Sequence, residues 1–221
     1  MFRISSLVIA AGSLIVAGCV IAPKATDSTP DGLVRVQSKR VDMLFIAPGM
    51  SLSRYKRVMF DRVDVAFKAD WQVNHPNIPP EDIANIRYGA ASVFRSEFAQ
   101  VLEKGGYAIA EAPGPDVLRV SASVVDLGII GGSTAGTEDT GHGYIVSTAD
   151  MSLVAELRDS QSGANLARAV DRKRGRSYGN LQVADQASNT AEARAAFALW
   201  AGYLRDALDA ARGGGEAAQK K

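Results

Sequence analysis

Between residues 149 and 158 apolar and polar side chains alternate. Ala149, Met151, Leu153, Ala155 and Leu157 fall on one side, Asp150, Ser152, Glu156 and Arg158 on the other, and only Val154 interrupts the polar side. Successive side chains of a strand point to opposite faces, so this pattern predicts a strand with one face in a core and one in water. Asp159-Ser160-Gln161-Ser162-Gly163 reads as a hairpin loop leading into a second strand over 165–171. Further strands are expected over 41–46, 56–67, 107–110 and 117–127, separated by clusters of turn residues. Within 56–67, Val58 and Phe60 share one parity while Val63, Val65 and Phe67 share the other. A bulge near Asp61 and Arg62 would let all five face the core.

Elsewhere the apolar period lengthens to that of a helix. After Pro79-Pro80-Glu81-Asp82, a helix-start signal, Ile83, Ile86, Ala90, Val93, Phe94, Val101 and Leu102 recur on one stripe, and Lys104-Gly105-Gly106 supplies a stop. A second helix opens at the capping box Asn189-Thr190-Ala191-Glu192 and carries Ala193, Phe197, Trp200, Leu204, Leu208 and Ala211 on its apolar side. Gly213-Gly214-Gly215 is expected to end it, leaving residues 213–221 as a polar, disordered tail. These elements predict an α+β domain over 33–212, with a largely antiparallel five- or six-stranded sheet and two amphipathic helices packed on one face. The glycine-rich stretch 131–143 is expected to be a long, mobile, exposed connection.

The N-terminus is a different kind of segment. Met1-Phe2-Arg3 is followed by an apolar run to Val16, too short for the roughly 20 residues of a membrane-spanning helix. It ends in LIVAGC, and Cys19 is the one cysteine of the chain. A thiol directly after two small residues resembles the lipobox of bacterial lipoproteins. Residues 1–18 are therefore expected to be a signal peptide, Cys19 to be lipidated, and 19–32 to be a flexible tether. With Val20 and Ile21 after the cysteine and no aspartate, the expected location is the periplasmic face of the outer membrane.

Charge narrows the partners. The chain has 25 basic and 24 acidic side chains, and loss of the signal segment removes Arg3 alone, so the two signs balance. A nucleic-acid binder would carry a basic surplus. Arg172, Lys173, Arg174 and Arg176 form one basic cluster, a candidate contact for an anionic surface or a device that protects a sheet edge. His75 and His142 lie in separate loops with no metal-ligand spacing, no GxSxG elbow occurs, and the stretch from Gly131 to Thr137 lacks the lysine of a phosphate loop. Asp61, Asp64 and Asp70 are close in sequence, but Asp64 falls on the exposed parity of its strand. No catalytic, metal or cofactor site is expected.

The Pro48-Gly49 turn before Tyr55-Lys56-Arg57-Val58, the strand after Gly105-Gly106, the segment Val117-Leu118-Arg119-Val120 and the run from Leu157 to Gly163 before an alanine-rich closing helix together resemble one family. It is the bacterial lipoprotein family catalogued as domain of unknown function 3313, and the likeness covers about residues 33–212. The resemblance implies no reaction, ligand or catalytic residue. The expected role is a non-enzymatic, lipid-anchored binding or accessory module with a protein partner in the envelope. Two alternatives compete with it: a hydrolase of envelope material using Asp61, Asp64 and Asp70 or His142, and a carrier holding a small apolar ligand between helices and sheet.

Overall fold

A computed structural model describes residues 28–74, 76–130, 145–147, 151–173 and 186–219. Cys19, His75, His142, Arg174, Arg176 and the stretch 131–143 lie outside them.

The centre of the sheet is the long strand β6 (Val117–Ile130), which the alternation of Leu118, Val120, Ala122 and Val124 with Arg119, Ser121 and Ser123 dictates. On one side it pairs antiparallel with β8 (Ser152–Asp159), then come β9 (Asn165–Arg172), β2 (Met43–Ile46) and β1 (Val34–Val36). On the other side β3 (Arg57–Phe60) and β4 (Asp64–Phe67) lie one after the other along β6, both parallel to it, and β5 (Ala108–Ile109) pairs with β3. β7 (Ile145–Ser147) pairs antiparallel with the end of β6. The α+β class is as expected. The sheet is larger and mixed, with nine strands among the described residues. Its parallel pairs arise because α2 (Pro80–Lys104) carries the chain from β4 back to β5 and β6 as a crossover, which brings the next strands in with the same direction. A single turn, α1 (Trp71–Asn74), precedes α2, and α3 (Gln186–Gln219) closes the chain.

The parity change within 56–67 is resolved as the pattern requires. Phe60 is opposite Val120 and Asp64 opposite Ser123, so β3 and β4 advance four residues while β6 advances three. The extra residue at 61–63 turns Val63 and Val65 to the same face as Val58 and Phe60. A second irregularity lies on β6, where Asp126 has φ 61° and the register with β4 shifts between Val65 and Phe67.

The register puts Val58, Phe60, Leu118, Val120, Val124 and Leu153 on one face, all buried, and both long helices cover it. Helix α2 contributes Ile83, Phe94, Phe98 and Leu102, while α3 contributes Phe197, Trp200, Ala201 and Leu208. Phe94 stacks on Phe98 at 4.1 Å and meets Phe197 edge-on at 5.2 Å, so aromatic rings fill the space where helices and sheet converge. Trp200 donates its ring N–H to Asp171 Oδ2 at 2.6 Å, and Tyr107 its hydroxyl to Asp209 at 2.7 Å, which tie α3 to β9 and to the chain before β5. Gly106, at φ 80°, ends α2 in a left-handed conformation, and the Gly105, Gly106 and Tyr107 N–H groups cap the last carbonyls. In contrast, α3 runs through Gly213–Gly215 to Gln219. Three glycines each cost about 1 kcal/mol against alanine, but Ala210-Ala211-Arg212 and Glu216-Ala217-Ala218-Gln219 on either side are helix formers and no proline intervenes.

Among the described residues, no helix lies on the opposite face of the sheet. Ion pairs run across it: Asp61 to Arg119, Glu156 to Arg158 and Arg168, and Arg168 on to Asp31 at 3.0 Å. Arg119 and Arg158 are directly opposed on β6 and β8. The carboxylates between them offset a repulsion that like charges in register would otherwise cause.

Candidate functional site

Two places concentrate polar chemistry. One is the corner where β8 turns into β9. Asp159 there is 5 % exposed. Its Oδ1 accepts the Ser162 N–H and the Ser162 hydroxyl, each at 2.7 Å, while Oδ2 accepts the Tyr55 hydroxyl at 3.0 Å and the Arg54 guanidinium. The Ser162 backbone N–H is the largest cause holding the Asp159 carboxyl down, to about 2, followed by the Ser162 hydroxyl; desolvation opposes them, and Tyr55 and Arg54 add to the downward shift. Ser160 clamps the neighbouring turn by accepting the Gly114 N–H and donating to the Gly114 carbonyl. A side chain at Gly114 would collide with the Arg57 guanidinium, 2.8 Å from where its Cβ would stand. Gly163 completes the hairpin at φ 71°. Both oxygens of Asp159 and the hydroxyl of Ser160 are used to hold the fold.

The second place is an open groove of about 870 Å³ along the outer side of β4. Residues 61–66 form its floor, Ala84, Arg87, Tyr88, Ala91, Ser92 and Arg95 of α2 form one wall, and Ser123 and Val125 of β6 close it toward the helix-free face. The α2 wall follows from helical spacing: Arg87, Ala91 and Arg95 stand in one column four residues apart, and Ala84, Tyr88 and Ser92 in the next. Small residues in both columns leave the width. Tyr88 is 80 % exposed on a helix otherwise amphipathic. Arg87 lies over the Phe67 ring at 5.3 Å, whereas Arg62 and Arg95 have no hydrogen-bond or ion-pair partner among the described residues.

Of the two carboxylates in the groove, Asp61 is already engaged. Arg119 Nε donates to it at 2.8 Å and Ser121 donates its hydroxyl. Burial pushes the Asp61 carboxyl up, but the Arg119 and Ser121 hydrogen bonds outweigh it and the net shift is downward. It is charged at neutral pH and has no proton to give. Asp64 is exposed on β4, and Asp70, outside the groove, lies within reach of the Asn74 amide at 3.5 Å. The three aspartates of the hydrolase alternative therefore do not converge on one point. Among the described residues no three of His, Cys, Asp and Glu gather as a metal site.

Of the basic cluster, Arg172 and Lys173 are described. Arg172 is exposed at the end of β9, its backbone N–H bound to Asp42 at 3.0 Å, and the Lys173 N–H bonds to the Met151 carbonyl at 2.8 Å. Arg172 is level with Ser152 and so with Val125 on the helix-free face. Two strand spacings, about 10 Å, separate it from the closed end of the groove. The groove arginines themselves were not among the residues singled out in the sequence; the signal for them is the column of cations and small residues on the polar side of α2.

Among solved structures, the chain is similar to a PelC dodecamer from Paraburkholderia phytofirmans, with 17 % identity over 71 % of this chain and 96 % of that one and a TM-score of 0.36. It is also similar to a protein described as a neuraminyllactose-binding hemagglutinin homolog from Helicobacter pylori, with 13 % identity over 73 % and 88 % of the two chains and a TM-score of 0.38. Likenesses this distant say nothing about what this chain binds. No curated protein matches it. The family model described as protein of unknown function, DUF3313, matches residues 25–204, a span that holds the nine described strands and the groove, and the chain belongs to that family.

Proposed function

We propose that the protein is a lipid-anchored envelope lipoprotein, held by Cys19 on the periplasmic face of the outer membrane, and that it works there as a non-enzymatic binding module whose contact site is the groove between α2 and β4. The observation that carries the binding role is the unmatched chemistry of that groove: Arg62 and Arg95 have no partner among the described residues, beside a tyrosine ring left in water. Among the described residues, the buried Asp159 and the half-buried Asp61, Glu156 and Arg168 are all paired, as the cost of desolvation demands. Charges lining a concave surface with a flat exposed aromatic are the ordinary makings of a binding site. LIVAGC supports the anchor, and no helix among the described residues is long and apolar enough to cross a membrane.

A photo-activatable amino acid at Tyr88, with Met43 at the far side of the sheet as control, tests the binding site in intact cells. The expected result is an envelope component cross-linked from position 88 and not from 43. Equal yields from both positions would remove the groove as the contact site. For the anchor, Cys19→Ala is expected to move the protein from the membrane to the soluble fraction. A Cys19→Ala protein as membrane-bound as wild type would show that the lipid reading is wrong.

A further inference from the structure

A strand has two edges, and each buried or half-buried edge must find partners for its N–H and C=O groups. β6 is paired on both sides, and β3 lies between β6 and β5. β4 differs: among the described residues it pairs with β6 alone, and at its two ends the Asp61 and Lys68 N–H groups also bond to β6, while the Lys68 carbonyl accepts the Trp71 N–H of α1. Its other edge is open among the described residues, and it opens into the groove. The four residues of β4 extend over about 13 Å at 3.3 Å per residue, beside a helix wall set back by alanines 84 and 91. A slot between a free strand edge and a helix wall suits an additional strand.

We propose that the free edge of β4 receives an extended, acidic segment of a partner protein, which joins the sheet as a strand and sets its carboxylates against Arg62, Arg87 and Arg95. This rests on the groove being the contact site, and it names the chemistry of what enters. Charge selects the occupant. Asp61 is neutralised by Arg119, so three arginines face one unpaired carboxylate, Asp64. A cationic edge repels a second copy of itself, because each copy would bring Arg62 and Arg87 toward their own kind, and this is how edges are kept from indiscriminate pairing. The same charges attract a strand that carries glutamates or aspartates at alternate positions. Backbone bonds to β4 would supply the affinity, and the arginine column the preference.

The test uses full-length protein purified in detergent and a fluorescein-labelled octapeptide of alternating valine and glutamate, followed by fluorescence anisotropy. Saturable binding is expected, with little binding of the valine-lysine counterpart and at least a tenfold loss in an Arg62→Glu, Arg95→Glu double variant, since two charge-assisted contacts become repulsive. Two further peptides carry N-methyl groups on alternate residues in the two possible phases. A strand pairs through one backbone edge only, so one methylated peptide should bind like the parent and the other should lose about tenfold or more, and this contrast does not depend on any protein variant folding. Amide exchange over residues 61–67 should slow on binding. If both methylated peptides bind like the parent, attraction is by charge alone and the added strand is wrong. If phosphatidylglycerol vesicles bind the Cys19→Ala full-length protein in an Arg62- and Arg95-dependent way while neither peptide binds, the groove belongs to a lipid surface and the proposal fails. Should position 88 still cross-link an envelope protein while no peptide binds, the strand proposal is lost and the groove remains the contact site; loss of both removes the two together.

Discussion

Asp159, the last residue of β8, and Arg62, two residues past the end of β3, are both charged residues at the ends of core strands, yet their surroundings are opposite. Around Asp159 the Ser162 N–H, the Ser162 and Tyr55 hydroxyls and the Arg54 guanidinium occupy both carboxylate oxygens, and the side chain is 7 % exposed. Around Arg62 and Arg95 nothing among the described residues answers the charge, and Tyr88 holds its ring in water. Hydrogen bonds to a buried ion are part of what holds a fold, because removing one partner leaves the other desolvated and unpaired. Charges left open contribute little to stability, so their arrangement is free to serve an external partner. The comparison makes a quantitative claim: substitutions at the β8–β9 corner and in the core should act on stability, and substitutions in the groove on binding alone.

The largest effect is expected from Leu153→Asp. Leu153 is 6 % exposed on the helix-covered face, opposite Val124 and beneath the helices. A carboxylate there would have no cation at hand, and the loss should exceed about 4 kcal/mol, a large part of the margin of any domain. Circular dichroism should find the variant unfolded or melting far below wild type. Next comes Asp159→Ala, which strips acceptors from Ser162 and Arg54 and leaves the Tyr55 hydroxyl, on a residue 1 % exposed, without its carboxylate acceptor. A cost of about 3 kcal/mol is expected, with Tyr55→Phe costing about 1 kcal/mol because both ends of that bond are then less demanding.

The same corner sets an acid limit. The Asp159 carboxyl lies at about 2 in the folded protein against 3.8 for the ordinary group. A depressed folded value means that the native state binds the proton less tightly than the unfolded chain, so this contribution is whole above about pH 4 and is lost as the pH falls toward 2. Asp61, Asp116 and Glu156, also shifted down, steepen the same limb. Melting temperature measured from pH 6 to pH 2 should fall steeply below pH 4 in wild type and less steeply in Asp159→Asn, which has nothing left to titrate there. Parallel curves would show that the corner does not carry the acid sensitivity.

How much of this contrast was legible in the sequence depends on range. The period of two at 149–158 placed Leu153, Ala155 and Leu157 on the core face, and β8 bears that out. The parity conflict between Phe60 and Val63 located the extra residue at 61–63 because only core-facing alternation needs it. The closing loop from Asp159 to Gly163, one of the soft motifs behind the family likeness, proves to be the corner whose side chains hold the turn. What local pattern could not supply was pairing. That β3 and β4 run parallel to β6 depends on the crossover through α2, and the three-residue strands β1 and β7 are too short to show a period. The groove was hidden for the same reason, since Arg62 comes from a strand break and Arg87 and Arg95 from a helix 25 and more residues later. Only their column on α2 was visible, and it reads as an ordinary solvated face until β4 is seen to lie open beside it.

Charge reversal sharpens the contrast from the other side. Arg62→Glu with Arg95→Glu should leave the melting temperature within about 2 °C of wild type, because exposed, unpaired cations give up no internal contact and surface changes of this kind stay within about 0.5 kcal/mol. Binding of the valine-glutamate peptide should nevertheless collapse. If instead the double variant melts as low as Asp159→Ala, the groove arginines are part of the fold and the two regions do not differ in kind.

The smallest expected effect is also the cleanest, because Tyr88 is uncharged. In Tyr88→Ser the helix keeps a residue of similar propensity, and a ring that is 80 % exposed has little buried area to lose. Its removal should shift stability by less than about 0.5 kcal/mol, which for a chain of this size is no more than about 2 °C in melting temperature. An entering strand would cover that ring, and covering an aromatic at the centre of a contact is where binding energy concentrates, so peptide affinity should fall about three- to tenfold with the charge pattern intact. Salt separates this from the arginine effect: the Tyr88→Ser deficit should persist at 0.5 M salt, whereas the gap between wild type and the double charge reversal should narrow as the charges are screened. A Tyr88→Ser protein that binds the peptide like wild type at both salt concentrations would place the added strand away from α2, lying on β4 and the helix-free face instead of in the slot between them.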